Sequence, residues 1–116
     1  MTPAPAPPRR RGPGLVRVAG RSMEPTLTPG ALVLVWWGRR VRVDDLIVFA
    51  HPHHEGLLTI KRVTGADPHD PQRWWVERDN PAMGTDSWSF GSIPADRVLA
   101  RVLLRLPTLR RARTRE

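Results

Sequence analysis

No uninterrupted apolar run in this chain is longer than the seven residues from Ala31 to Trp37, and breaker residues close each run soon after it opens. Thirteen prolines and nine glycines in 116 residues supply that punctuation. A helix crossing a bilayer needs about 20 apolar residues, so no segment is long enough, and long amphipathic helices are cut short in the same way. Short strands are what such a pattern admits. Leu15–Val18 alternates in polarity, and Ala31–Trp37 is continuous, as expected of a strand buried on both faces. Val41–Val43, Leu46–Phe49, Leu57–Val63 and Trp74–Glu77 follow, with Gly38, Asp44-Asp45, Pro52, Gly65, Pro68 and Pro71 between them as turn residues. Two stretches admit a helix: a short one after Ser22, and Ala95–Leu106, although Val98, Ala100, Val102, Leu104 and Leu106 also alternate with period two. The predicted fold is mainly β, a single small domain of short antiparallel strands closing on one core.

Composition sets the limits of that domain. Residues 1–13 read as a disordered Pro/Arg-rich arm and 107–116 as a basic tail, which leaves 14–106 for the fold. The net charge is +8, and Arg9, Arg10, Arg11, Arg110, Arg111, Arg113 and Arg115 concentrate it at the ends. Arms of this kind are usually solvated, and less often contact nucleic acid or an acidic surface. Cysteine is absent, which excludes disulfide scaffolds, thiol catalysis and Cys-ligated zinc. The opening MTPAPAPPRRRGPG has no apolar stretch behind its arginines and does not read as a secretory signal, so a cytoplasmic location is expected.

Two residue types are scarce enough to single out their members. Of nineteen basic residues eighteen are arginine, and Lys61 is the one lysine; serine occurs at 22, 87, 89 and 92 only. Ser22 stands just past a strand and Gly20, with Pro25 ending any helix early. A hydroxyl at a sharp strand exit is accessible while its own N–H points into the same space, as a nucleophile that helps to hold an oxyanion requires. Equally, Ser22 could cap one helical turn. A serine nucleophile needs a base, and arginine cannot lose its proton in a protein. Lysine can when apolar neighbours desolvate it, and Lys61 follows Leu57, Leu58 and Ile60 on an apolar strand. The alternative is a surviving surface lysine.

GRSMEPTL, PGALVLV, DDLIVF, TIKRVTG and RDNPAMGTDSWSFGSIP, in this order and spacing over about residues 16–100, resemble the type I signal peptidase family of Ser-Lys peptidases. The resemblance implies a small β-rich catalytic core with Ser22 as nucleophile and Lys61 as general base, and no cofactor. It makes Gly20, Met23 and Pro25 oxyanion or site support. Arg62 would pair with Asp86 as scaffolding or as a surface ion pair. It implies a minimal core without membrane anchor or inserted β-domain, similar to the soluble proteases that mature nickel-type superoxide dismutase, whose precursor is then the expected partner. The chain departs from the family at Gly20, where many members carry a serine that completes the oxyanion hole, so the second donor is unassigned. In Gly84-Thr85-Asp86-Ser87-Trp88, Gly84 replaces a serine that orients the lysine and Trp88 replaces an arginine, which leaves Thr85 or a water for that orientation. Arg78 in Arg78-Asp79-Asn80 replaces a glycine and implies an altered turn.

The remaining features have plainer readings. His51, His53 and His54 beside Glu55 are suited to nickel or zinc by ligand type, but a Pro-containing turn between strands lacks the framing that ligands need, so an ordinary loop without metal is expected. The Trp36-Trp37 and Trp74-Trp75 pairs suit core and rim packing. Competing functions are an autoproteolytic regulator of the LexA type, disfavoured because no helix-turn-helix pattern precedes residue 14, and a non-enzymatic basic module gripping nucleic acid with both arms.

Overall fold

Leu46–Ala50 (β3) is apolar at both side-chain parities, the pattern of a strand covered on both faces. In a computed structural model of the chain, which describes residues 11–38 and 40–107, β3 is joined by β1 (Gly12–Arg17), β2 (Leu32–Trp37), β4 (Leu58–Asp67), β5 (Asp70–Glu77), β6 (Ile93–Pro94) and β7 (Val98–Arg105). They form one seven-stranded sheet of order β1-β2-β7-β3-β4-β5-β6, every pairing antiparallel. The mainly β expectation holds.

The single core expected is in fact two clusters, because neighbouring residues of a strand face opposite ways. Ile47 and Phe49 enter one with Val63, Val76, Ile93 and Val98. Val48 enters the other with Met23, Leu27, Val33, Val35 and Ala100. The doubly buried strand is therefore β3, not Ala31–Trp37: Val33 and Val35 are sealed, but Trp36 is 45% exposed beside its cross-strand neighbour Arg101. One member of each Trp pair packs on a cluster, Trp37 on that of Val48 and Trp74 on that of Ile47 and Phe49.

Residues 95–106 resolve as a short 3-10 turn, Ala95–Arg97, and then β7. Its period of two does not define one face. Register shifts opposite Val48/Phe49 and Leu34/Val35 place an extra residue in β7 at each point, and a bulge of that kind turns the following side chains over. Val98 and Ala100 consequently join different clusters, and Leu104 is 48% exposed.

Elsewhere local hydrogen bonds override the apolar pattern. Val41–Val43 is no strand, since the Arg42 N–H donates to the Asp45 carboxylate and the Asp45 N–H to the Arg42 carbonyl, closing a turn. Gly65 and Pro71 lie within β4 and β5, and the hairpin turns at Pro68-His69, where Asp67 accepts from the His69 N–H. The segment after Ser22 is a series of turns, not a helix, while a single helical turn, α1 (Ser87–Phe90), forms further on with Asp86 as its cap. β1 begins at Gly12, so Gly12 and Pro13 pair with Trp37 and Trp36 instead of belonging to the arm. Residues 1–10 of that arm and 108–116 of the tail lie outside the described residues. No helix among the described residues is long and apolar enough to cross a membrane.

Candidate active site

The loop from β1 to β2 is pinned at its base by Val18 and Gly30–Ala31: the Val18 N–H donates to the Ala31 carbonyl and the Gly30 N–H to the Val18 carbonyl. Within it Met23 and Leu27 are 3% and 2% exposed. Burying such side chains is worth roughly 1.5–3 kcal/mol each, which outweighs the exposed Arg21–Glu24 ion pair, a contact of a kind worth at most about 1 kcal/mol. Met23 thus anchors the loop, and Ser22 beside it is set at the surface of a cleft of about 600 Å³. Gly20 lines the same cleft, whereas Pro25 is exposed and follows Glu24 through a cis peptide bond.

Lys61 reaches this cleft from β4, where it pairs with Ile47 of β3. It is 6% exposed, and its Nζ lies 2.7 Å from Ser22 Oγ. Burial holds its pKa below the ordinary lysine value; Asp86 opposes that effect and Arg78 reinforces it. A neutral amine at this distance can accept the hydroxyl proton as the oxygen attacks an acyl carbon. The Ser22 N–H has no acceptor among the described residues, and so remains available to a developing oxyanion.

The segment after β5 holds Ser22 from its other side. The Asn80 N–H donates to the Ser22 carbonyl at 2.8 Å, and Asn80 Nδ2 to the Arg21 carbonyl at 2.9 Å. Asp79 accepts from the Thr26 hydroxyl and, through both oxygens, from Nε and Nη2 of Arg62 at 2.9 and 2.8 Å. Such two-pronged contacts fix orientation as well as charge. The Arg62 hydrogen bonds chiefly hold the Asp79 carboxyl below its usual range, and the Arg62 guanidinium is in turn held more firmly charged. Arg62 is next to Lys61 in the chain and Asp79 next to Asn80, so one ion pair ties the strand of Lys61 to the loop of Ser22.

This corrects the expected Arg62–Asp86 pairing. Asp86 instead accepts from Arg78 Nη1 and the Arg78 N–H, and caps α1 at the Trp88 N–H. Arg62 stands across from Glu77, two residues before Asp79, whereas the chain between 79 and 86 turns away toward α1. Sequence reasoning noticed Asp79 and Asn80 only as an altered turn. Their signal was the Asp-Asn-Pro order, since short side chains before proline close turns: Asn80 Oδ1 accepts from the Ala82 N–H.

Gly84, a departure from the resembled family, has a structural reason here. It adopts φ +85°, and a Cβ there would lie 2.4 Å from Ser22 Cβ. The backbone passes directly against the hydroxyl-bearing residue, where only glycine fits. Thr85 lines the cleft, but the hydrogen bond of Lys61 Nζ among the described residues goes to Ser22. Trp88 packs at right angles on Trp75 and donates to Glu77. His51, His53 and His54 occupy the turn between β3 and β4, with no group of three or more potential metal-ligating side chains gathered among the described residues.

Comparison with known proteins falls on the same segment. A 26% identical relative, mitochondrial inner membrane protease subunit 2 of Schizosaccharomyces pombe, aligns with 74% of this chain; the chain spans 60% of that protein's length. Residues 13–70, half of the chain, match the family described as signal peptidase, peptidase S26. That match takes in the Ser22 loop and the Lys61 strand together, and the chain belongs to the signal peptidase family, peptidase S26.

Proposed function

We propose that this chain is a serine endopeptidase in which Ser22 is the nucleophile and Lys61 the general base, and that it removes a short N-terminal extension from a cytoplasmic partner protein after a small residue. The substrate proposed is the precursor of a nickel-type superoxide dismutase. The observation that carries the reading is the 2.7 Å contact between Ser22 Oγ and a buried Lys61 Nζ. Membership of a peptidase family and a relative named as a protease support peptide hydrolysis.

In the proposed reaction neutral Lys61 takes the Ser22 hydroxyl proton while Oγ bonds to the scissile carbonyl carbon, and the charge on the carbonyl oxygen is met by the Ser22 N–H. The resulting ammonium gives its proton to the leaving amine as the C–N bond breaks. Water then attacks the acyl ester carbon while Lys61 accepts its proton, and as the bond from that carbon to Ser22 Oγ breaks the Lys61 ammonium returns the proton to Oγ, so that the acid product leaves with the hydroxyl and the neutral amine restored. All proton transfers use one residue, and no cofactor enters.

The test is co-expression with the precursor and intact-mass spectrometry. Ser22→Ala and Lys61→Ala should each lower the cleavage rate by about a thousandfold or more, leaving the extension in place while the thermal unfolding curve stays cooperative. Normal trimming by Ser22→Ala would end the reading.

A further inference from the structure

Reading the cleft as a peptide-binding site brings His51 into it, a residue that the Ser22–Lys61 chemistry does not use. His51 directly follows β3, is 8% exposed, and lines the cleft that holds Ser22 and Lys61. Its ring is fixed on three sides. Nδ1 faces the His53 N–H at 3.0 Å, and the ring centroids of His54 and Phe90 lie 4.5 and 4.9 Å away.

A backbone N–H can only donate, so Nδ1 must be the unprotonated nitrogen, and a neutral imidazole then carries its proton on Nε2. Burial, followed by the neighbouring His54, His53 and Lys61, lowers the His51 pKa and keeps the ring neutral. The ring belongs to a residue that lines the cleft, and its hydrogen bond among the described residues is made through Nδ1, which leaves the Nε2–H to a ligand. A neutral N–H donor of fixed direction matches a carbonyl oxygen, which an extended peptide presents on each edge about every second residue.

We infer that His51 is a substrate-positioning residue whose Nε2–H donates a hydrogen bond to a backbone carbonyl of the peptide bound in the cleft. The inference rests on the proposed peptidase reading, and its test keeps the two apart. The ring's two nitrogens can be imitated separately. Asparagine places an oxygen near Nδ1, so His51→Asn keeps the acceptor for the His53 N–H and deletes the cleft donor. Glutamine places an N–H₂ near Nε2, so His51→Gln keeps the donor and deletes the loop acceptor.

Binding is measured by fluorescence anisotropy in the full chain carrying Ser22→Ala, with a labelled peptide spanning the junction of a nickel-type superoxide dismutase precursor as probe. Cleavage by the unmodified chain, assayed separately on the same peptide, tests the peptidase reading. His51→Asn should weaken binding about five- to tenfold, the scale of one hydrogen bond, and His51→Gln should bind within about twofold of the parent. In the cleaving enzyme the Asn variant should raise KM with kcat within about twofold. The reverse order of the two variants, equal losses in both, or no loss in either would overturn the inference, as would an Asn variant that lowers kcat at unchanged KM.

Discussion

Gly84→Ala should damage the site far more than the fold, and Gly30→Ala provides the matched control. Both glycines sit at φ +85°, where a Cβ costs roughly 1–2 kcal/mol from backbone crowding alone. At Gly30 nothing lies within 4 Å of the added carbon, while at Gly84 it would meet Ser22 Cβ at 2.4 Å. Carbon atoms rest about 3.5–4.0 Å apart, so the two backbones must separate by more than about 1 Å. Met23 is buried and the Ser22 carbonyl is bonded to the Asn80 N–H, so the loop yields by shifting Ser22 against Lys61, not by letting go. A misplacement of about 1 Å in a reacting group can cost about a hundredfold in rate. Chemical denaturation should show both variants losing about 1–2 kcal/mol. Single-turnover cleavage of the precursor should then separate them, with Gly30→Ala within about threefold of the parent and Gly84→Ala down by about a hundredfold. Equal rates for the two variants would refute the claim that the close approach at Gly84 positions the hydroxyl.

Further outcomes follow from Lys61 and Asp79. Activity should rise with pH as one group deprotonates at an apparent pKa below the ordinary lysine value of 10.5, and Lys61→Arg should be as inactive as Lys61→Ala because a guanidinium has no lone pair to accept a proton; an active Lys61→Arg enzyme in the same pH series removes the base. Since folded Lys61 binds its proton less tightly than the unfolded chain does, unfolding takes up a proton between the folded pKa and 10.5, and stability rises with pH across that window. Lys61→Met should flatten that rise in denaturation curves and be the more stable protein below it. Asp79→Asn should cost about 1–3 kcal/mol at pH 7 by leaving Arg62 without its carboxylate. The Arg62-bonded carboxyl stabilises the fold above its unfolded pKa of about 3.9 and loses that effect as pH falls through the lower folded value, so the variant should also show a shallower acid limb, together with a reduced kcat.

The site was legible where a residue's chemistry is rare in the chain. One lysine among nineteen basic residues, on an apolar strand, and one serine just past a strand and a glycine stand out as candidates without coordinates, because no arginine can serve as a base, but it was the resemblance to the signal peptidase family that joined them as a pair. Strand existence was mostly legible in the same way, since apolar runs cut at fewer than eight residues favour short strands, but Val41–Val43 is held in a turn by its hydrogen bonds to Asp45. Facing was not. The regular alternation of Val98, Ala100, Val102 and Leu104 promises one buried side, yet one bulge sends Val98 and Ala100 into different clusters and a second falls between Val102 and Leu104. A bulge is a property of a pair of strands, and one strand's own residues do not record it.

Partner choice among charges likewise waited for the tertiary fold. Asp79 and Asp86 are both acidic, near in sequence and flanked by turn residues, and nothing local says which meets Arg62. The pairing of β4 with β5 brings Arg62 opposite Glu77 and thus beside Asp79, while α1 draws Asp86 to its own N–H groups and to Arg78. Gly84 shows the same division. As a residue it is only a flexible point before Thr85; its necessity arises from Ser22, 62 positions away in the chain, whose Cβ is brought to within 2.4 Å of where the Cβ of residue 84 would stand. Residue chemistry along the chain therefore determined which groups can react. Distances of a few ångströms between segments remote in sequence decided which of them meet.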